Sequence, residues 1–162
     1  MNNLKEYKFP YHELDNDSLL NEEELLLLSK AREATQKAYA PYSNFFVGAA
    51  ALLANKKIIT ATNQENASFP AGICAERTLL SAIASLYGEI RIDTIAISYN
   101  RLNGNSDRPV SPCGICRQSL IEYESRIKQP IRLILAGMQG KVIIIEDASF
   151  LLPLSFSADD LA

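Results

Sequence analysis

Three cysteines and one glutamate are the residues of this chain that could carry out chemistry together. Cys74 stands two residues before Glu76, and Cys113 and Cys116 form a C-x-x-C pair that follows Pro112. These are all the cysteines of the sequence, so one metal site could use every thiol. Three protein ligands leave tetrahedral zinc one open position for water, which is the arrangement of a catalytic site. A carboxylate two residues from a ligand is close enough to move protons between that water and a substrate.

The cysteine pattern has other interpretations. A lone C-x-x-C is also typical of a thiol redox pair or of half a structural zinc site. The third cysteine and Glu76 favour catalytic zinc, because a structural site has no use for a carboxylate beside an open metal position. Two hypotheses from other protein classes stay open. A zinc-stabilised binding module predicts that Glu76 is dispensable, and a thiol oxidoreductase using Cys113 and Cys116 predicts thiols that titrate freely in the purified protein.

Charge balance at such a site requires positive groups nearby. Three thiolates on a dication leave the site negative, which opposes ionisation of the water. Arg77 and Arg117 each directly follow a motif residue, and helix N-termini add partial positive charge. We predict that Arg77 donates hydrogen bonds to a zinc-bound thiolate and thereby compensates its charge.

Two predicted helices must bring the thiols together. Apolar periodicity predicts one helix over about 73–86 and another over about 113–126. Cys74 and Cys113 therefore each stand at the start of a helix, and Cys116 lies on the same face as Cys113. Helices that follow strands of one sheet can begin at the same sheet edge. The sequence thus predicts that three sulfurs distant in the chain meet at one edge.

The remaining pattern predicts one α/β domain. A further helix is predicted over 21–39, stopped by Pro41. The first twenty residues have some strand character at 4–11 and are otherwise polar, so we expect an N-terminal appendage (1–20) followed by a single domain (21–162). Strands and helices that alternate in this way form a layered sheet. The predicted strands span 45–54, 58–61, 92–98, 131–136 and 142–145.

Composition narrows the classes of partner. The net charge is −3 and the 16 Lys and Arg residues are scattered, so the basic footprint of a protein that binds nucleic acid is missing. The longest apolar stretch, Val47 to Ala54, is too short to span a membrane, and the charged first twenty residues do not resemble a secretory signal. An odd number of cysteines favours a reducing compartment. We expect a cytoplasmic protein that acts on a small molecule.

Five motifs stand in order along the chain. They read P-Y-S-N-F at 41–45, N-Q-E-N-A at 63–67, G-I-C-A-E-R-T at 72–78, S-P-C-G-I-C-R-Q at 111–118 and L-L-P-L-S-F at 151–156. Over about residues 38–161 they resemble the motifs of the small homotetrameric cytidine deaminases of pyrimidine salvage. This resemblance implies a three-layer α/β/α fold with a five-stranded mixed sheet, one zinc ion per chain, and a homotetramer whose pockets are shared between subunits.

The resemblance also implies roles in substrate binding. Asn63 and Glu65 match residues that hydrogen-bond the ribose hydroxyls. Phe45 matches the aromatic residue that packs on the pyrimidine, and the backbone of Ala75 matches the contact to the exocyclic amine. Phe156 matches a residue that completes the pocket of a neighbouring subunit.

The reaction implied is hydrolytic deamination of cytidine and 2′-deoxycytidine to the uridines, with zinc-activated water and Glu76 as proton shuttle. The same chemistry on a modified cytosine nucleoside, a nucleoside antibiotic or a base within a nucleic acid is the alternative. Phe46 and Ala61 depart from the Pro and Gly that are usual in the family, and little in the family corresponds to the stretch before Leu20. These departures leave the preference for sugar and base open. The single histidine, His12, lies outside the matched region, and we assign it no function.

Overall fold

The computed structural model describes residues 2–161, which form one mixed sheet with helices on both faces. Within these residues the sheet has six strands in the order β1-β6-β5-β4-β2-β3, and only β4 and β5 pair in parallel. The strands are β1 (His12–Leu14), β2 (Phe45–Leu53), β3 (Ile58–Thr62), β4 (Ile92–Arg101), β5 (Arg132–Ala136) and β6 (Val142–Ile145). The helices are α1 (Glu22–Ala34), α2 (Ala75–Tyr87) and α3 (Gly114–Ile127).

Alternating side chains divide the core into two layers. On β2, Ala49 and Ala51 pack with α2 and α3, whereas Ala50 and Leu52 pack with α1 on the opposite face. Because successive strand residues point to opposite faces, an apolar run such as 49–53 supplies both layers. The predicted three-layer α/β/α fold is therefore confirmed.

Helix α1 begins at a capping box. Asn21 Oδ1 accepts a hydrogen bond from the Glu24 N–H at 2.9 Å, and the Glu24 carboxylate accepts one from the Asn21 N–H at 2.9 Å. The helix ends earlier than the predicted 39, passing into a 3-10 turn at Thr35–Lys37. There it lies so close to β2 that a Cβ on Gly48 would be 2.1 Å from the Ala31 carbonyl oxygen, so this position requires glycine.

The sheet has one strand more than the five predicted. The strand character predicted at 4–11 was wrong, since those residues form no regular strand, and the N-terminal strand lies at His12–Leu14 instead. His12 pairs with Ile144 and Leu14 with Val142 in an antiparallel ladder with β6. A three-residue strand has no periodicity of its own, so only its partner, more than a hundred residues away, determines where it forms.

Helices α2 and α3 both begin at a cysteine. Cys74 is the N-cap of α2 and Cys113 the N-cap of α3. Their carbonyls accept the first helical hydrogen bonds, from the N–H groups of Thr78 and Arg117, each at 3.0 Å. The predicted starts at 73 and 113 are thus correct to within two residues. No helix within residues 2–161 has the length and apolar character that a membrane crossing requires.

A buried carboxylate connects the end of α3 to the rest of the fold. Glu124 Oε1 accepts hydrogen bonds from the N–H groups of Ile131 at 2.7 Å and Ala148 at 3.1 Å. Burial raises the pKa of Glu124 to about 7, although both hydrogen bonds act in the opposite direction. The side chain therefore fixes the connection to β5 at the cost of a desolvated charge at neutral pH.

We expect Glu124→Gln to flatten the pH dependence of stability. Because the pKa of Glu124 is higher in the folded protein than its ordinary value of 4.5, its protonation stabilises the fold below that value, and this contribution is lost as pH rises through about 7. Glutamine keeps an acceptor for both N–H groups and does not titrate. Urea unfolding at a series of pH values should show a smaller loss of stability between about pH 5 and 8 in the variant.

The exposed neighbour Glu122 provides the control for this experiment. Glu122→Gln should retain the slope of the parent protein. A Glu124→Gln variant that retains it too would contradict the assignment of the slope to this carboxyl group.

Candidate metal and substrate site

The three thiols meet at the start of α2 and α3. Cys74 Sγ lies 3.8 Å from Cys113 Sγ, and Cys113 Sγ lies 3.4 Å from Cys116 Sγ. All three sulfurs lie within 4.8 Å of one another, and all three cysteines are free. Two sulfurs that bind one tetrahedral zinc at about 2.3 Å are separated by about 3.8 Å. The spacing and the soft thiolate donors therefore fit zinc.

The environment favours thiolate formation at one of these positions. Interaction with the neighbouring Cys116 thiol lowers the pKa of Cys74 to about 6, and the positive charge of Arg77 acts in the same direction. The same interaction, together with burial, raises the pKa of Cys116. Two helix N-termini add their partial positive charge at this point. Cys74 thus gives up its proton before Cys116.

Glu76 lies in the first turn of α2, next to the thiol cluster. Only 5% of the residue is exposed, yet it contributes to the wall of the adjacent cavity. Burial raises the pKa of its carboxyl group. A carboxyl group whose pKa lies above its usual range can both take up and release a proton during a reaction.

A cavity of about 540 Å³ opens above the thiols. Its base is formed by Cys74, Glu76 and Cys113, and its volume suits a small ligand. Ala75 is also at this end, and as the first residue of α2 it has a backbone N–H without a partner in the helix. The other lining residues include Phe45, Val47, Asn63, Glu65, Phe69, Ile97, Val110 and Ser111.

Phe45 forms an aromatic wall of the cavity, and Tyr99 packs against its ring. Its ring stacks on Tyr99 with centroids 4.7 Å apart and an interplanar angle of 15°. Tyr99 is buried on β4, opposite Val47 in the ladder between β2 and β4. Sequence reasoning did not single out Tyr99, because its contact with Phe45 depends on strand register.

Asn63 and Glu65, which we call the polar clamp, both line the cavity and both bind the segment that carries Phe45. Asn63 Oδ1 accepts a hydrogen bond from the Val47 N–H at 2.8 Å, and Asn63 Nδ2 donates one to the Phe45 carbonyl at 2.9 Å. Glu65 Oε2 accepts one from the Tyr42 N–H at 2.8 Å. The family resemblance implies that these residues bind the sugar, and sequence reasoning missed their contacts with this segment.

The polar clamp also has a defined charge. The Ser43 side chain and the N–H groups of Tyr42 and Ser43 lower the pKa of Glu65 by hydrogen bonding. Glu65 is therefore a carboxylate at neutral pH and can accept further hydrogen bonds through its second oxygen.

We expect Asn63→Asp to weaken both substrate binding and the fold. Aspartate has the same shape and still accepts from the Val47 N–H, but it cannot donate to the Phe45 carbonyl. Leaving one partly buried partner unpaired costs about 1–3 kcal/mol. Urea unfolding should report that loss. Steady-state kinetics with cytidine, the substrate that the family resemblance implies, should show a higher KM, because the wall that carries Phe45 loses its support. An unchanged KM would contradict a link between the clamp and the ligand. Asn66→Asp, an exposed change in the same loop, is the control.

Three predicted residues lie further from the cavity. Phe156 is 57% exposed and does not line its own chain's cavity. Arg77 lines a groove between α2 and α3, and within residues 2–161 we find no hydrogen bond from its side chain to a thiol, so that contact stays a prediction. Arg117 is committed elsewhere: its Nε donates to the Pro112 carbonyl at 2.8 Å and its Nη1 to the Leu151 carbonyl at 2.9 Å.

We expect Arg77→Gln to lower turnover without loss of zinc. Removal of a positive charge beside Cys74 leaves the thiolates less well compensated, and a hydrogen bond to a charged group is worth about 1.5–3 kcal/mol, or about ten- to a hundredfold in rate. Zinc content and kcat are measured together, with the exposed Arg91→Gln as control. Equal turnover in parent and variant would rule out this role.

Comparison with known proteins now defines the family. Residues 21–131 match the family model described as the cytidine and deoxycytidylate deaminase zinc-binding region. The chain belongs to this deaminase family. A curated cytidine deaminase from Halalkalibacterium halodurans is 39% identical over 136 residues, which are 84% of this chain and 96% of that protein. The cytidine deaminase from Mycobacterium tuberculosis is 35% identical over 139 residues, covering 84% of this chain and 91% of the relative.

Solved structures of the deaminase family agree. The crystal structure of cytidine deaminase from Burkholderia pseudomallei matches with a TM-score of 0.68 and 40% identity, covering 82% of this chain and 98% of that one. The resemblance read from the motifs is therefore confirmed. The family model is that of a zinc-binding region, and the three thiols are placed to hold a metal ion, so zinc is also confirmed as the cofactor.

Proposed function

We propose that this chain hydrolyses cytidine and 2′-deoxycytidine to uridine and 2′-deoxyuridine, with release of ammonia. One observation carries the proposal: a buried carboxylate, Glu76, lies beside three thiols at the base of a cavity sized for a small ligand. The close relatives named above are cytidine deaminases, and this chain covers nearly their whole length.

The side chains divide the chemistry between them. Cys74, Cys113 and Cys116 would hold zinc, which when bound supplies a Lewis acid that lowers the pKa of water. Glu76 takes the proton of the attacking water and gives it to the ring nitrogen next to the carbon that bears the amine. The remaining proton of that water, again through Glu76, converts the amine to ammonia, which leaves as the carbon–oxygen double bond forms.

The walls of the cavity support a nucleoside as substrate. Phe45 offers a rigid ring face on which a pyrimidine can stack. The polar clamp retains one N–H of Asn63 and one oxygen of Glu65 for sugar hydroxyls, since each uses only part of its capacity on the backbone. Neither Phe46 nor Ala61 lines the cavity, so these departures from the family pattern lie away from the ligand.

The decisive experiment follows the loss of cytidine absorbance beside ammonia release, using purified protein of measured zinc content. Cytidine, 2′-deoxycytidine, a modified cytosine nucleoside and a single-stranded oligonucleotide are compared, with Glu76→Ala as control. Turnover of both free nucleosides that is lost in Glu76→Ala supports the proposal. Protein with about one zinc per chain that leaves cytidine and deoxycytidine intact would refute the substrate assignment.

We further propose a homotetramer in which Phe156 enters a neighbouring subunit's cavity. Phe156 and Leu154 are both exposed, while a hydrogen bond from Gln118 Nε2 to the Phe156 carbonyl at 2.9 Å fixes the segment that carries them. Native mass spectrometry tests the assembly. Unfolded Glu76→Gln and Phe156→Ala chains that are refolded together should recover part of the activity, since some sites of the mixed tetramers combine an intact Glu76 with an intact Phe156. Absence of any recovery in mixed tetramers would count against shared pockets.

We propose that the protein is cytoplasmic and acts in pyrimidine salvage. Three free thiols that serve a metal belong in a reducing compartment, which supports the cytoplasm. Conversion of free cytosine nucleosides to uridines supports a place in pyrimidine salvage. Fractionation of the source cells, with this protein followed by antibody, tests the first point.

A further inference from the structure

The segment before α1 holds the edge of the sheet from both faces. We call residues 9–20 the N-terminal strap; it contains β1. Phe9 packs against the core layer shared with α2 and α3, whereas Leu14 and Leu20 belong to the layer under α1. The strap therefore passes around the edge of β6 and is anchored on each side of it.

Polar contacts strengthen this attachment. Glu13 forms an ion pair with Lys141, which directly precedes β6. Asp17 forms a second pair with Arg32 of α1 at 2.6 Å, where both side chains are partly buried. Phe9 also packs against Phe150, with ring centroids 6.0 Å apart. The strap is thus an integral part of the sheet and of the turn that follows β6.

Without the strap, β6 would be an exposed edge strand that is prone to intermolecular pairing. Val142 and Ile144 are buried in one core layer, and Ile143 and Ile145 pack in the other, so β6 is apolar on both faces. A short apolar strand without charge or proline, left unpaired, offers its N–H and C=O groups to another chain. The strap replaces this edge with a three-residue strand that carries Glu13 and follows Pro10, features that discourage further pairing.

We propose that the N-terminal strap guards the β6 edge, and that without it β6 pairs with β6 of a second copy of this chain. The guarded surface is the backbone of residues 142–144, and the occupant that the strap excludes is an identical strand. This inference concerns assembly and stands independently of the proposed reaction.

The test uses the full chain with both anchors weakened. Phe9→Ser combined with Leu14→Ser removes the packing on the two faces and leaves β6 unaltered. We expect amide hydrogen exchange at 142–145 to quicken by about tenfold or more, because the strap opens more often. We also expect particles larger than those of the parent protein, growing with concentration in light scattering, and a synthetic peptide of residues 2–20 should suppress them.

Leu4→Ser combined with Leu19→Ser provides the matched control, since both leucines also precede α1 but are exposed. It should leave exchange and particle size unchanged. A folded anchor variant with parental exchange at 142–145, or with faster exchange and no new association, overturns the proposal. If the double variant fails to fold by circular dichroism, the single changes Phe9→Ser and Leu14→Ser undergo the same two measurements and the same criteria.

Discussion

Glu76→Gln is expected to lower the turnover number for cytidine by about 10²–10⁴-fold while zinc stays bound. Glutamine has the shape of glutamate and should fit the same buried position, so the cavity and the thiol cluster are preserved. It cannot take a proton from water or deliver one to the ring. The loss should therefore appear in kcat rather than in zinc content or in the stability of the fold.

Stopped-flow or steady-state absorbance gives kcat, and metal analysis of the same sample gives zinc per chain. Glu89→Gln, an exposed change just beyond the end of α2, controls for loss of a negative charge near that helix. Turnover of Glu76→Gln within about twofold of the parent would revive the interpretation of a zinc-stabilised binding module. A decrease in zinc content with the decrease in kcat would assign Glu76 to metal retention instead.

Removal of zinc by a chelator is expected to abolish activity, to less than about one thousandth of the starting rate, and to unmask the thiols in a fixed order. Cys113 is exposed and Cys74 has a pKa of about 6, whereas Cys116 is buried and its pKa is raised. Because the thiolate is the reactive form, Cys74 and Cys113 should react with a thiol reagent at least about tenfold faster than Cys116. Zinc added back should restore the rate.

Mass spectrometry of partly labelled protein measures this order residue by residue. Cys113→Ser is the matched variant, since an exposed position tolerates serine without disturbing the core. It should fold, bind zinc weakly and show almost no turnover. Thiols that titrate freely in the zinc-containing protein, with activity retained after chelation, would instead favour a thiol oxidoreductase.

The parts of the site that are local in sequence could be predicted. Cys74, Glu76, Cys113 and Cys116 each lie within one turn of a helix start, and a helix start can be recognised from periodicity and from the residues that flank it. The joint convergence of the two helix starts followed from their place after strands of one sheet. Both the thiol cluster and a layered α/β sheet could therefore be predicted from the residues, and the family resemblance added the three-layer arrangement.

The parts of the fold and of the site that depend on residues distant in the sequence could not be predicted. The N-terminal strand exists only because β6 lies beside it, so its position was predicted wrongly and the strand count was one too low. The second task of Asn63 was missed for the same reason, since its partners Phe45 and Val47 lie across a strand pairing. Arg117 was assigned to charge compensation from its place after Cys116, but its guanidinium donates to two carbonyls that only the folded chain brings together.

The separation of the thiols along the chain couples zinc binding to folding. Cys74 and Cys113 stand at the starts of different helices, with the whole of β4 between them in the sequence, so their sulfurs lie together only in the fold that pairs β4 with β2 and β5. An unfolded or half-folded chain offers zinc no more than the C-x-x-C pair. Tight zinc binding by all three thiols thus requires the native topology. Because a ligand that binds only the native state stabilises it in proportion to the logarithm of its free concentration, the resistance of this fold to unfolding should rise with free zinc.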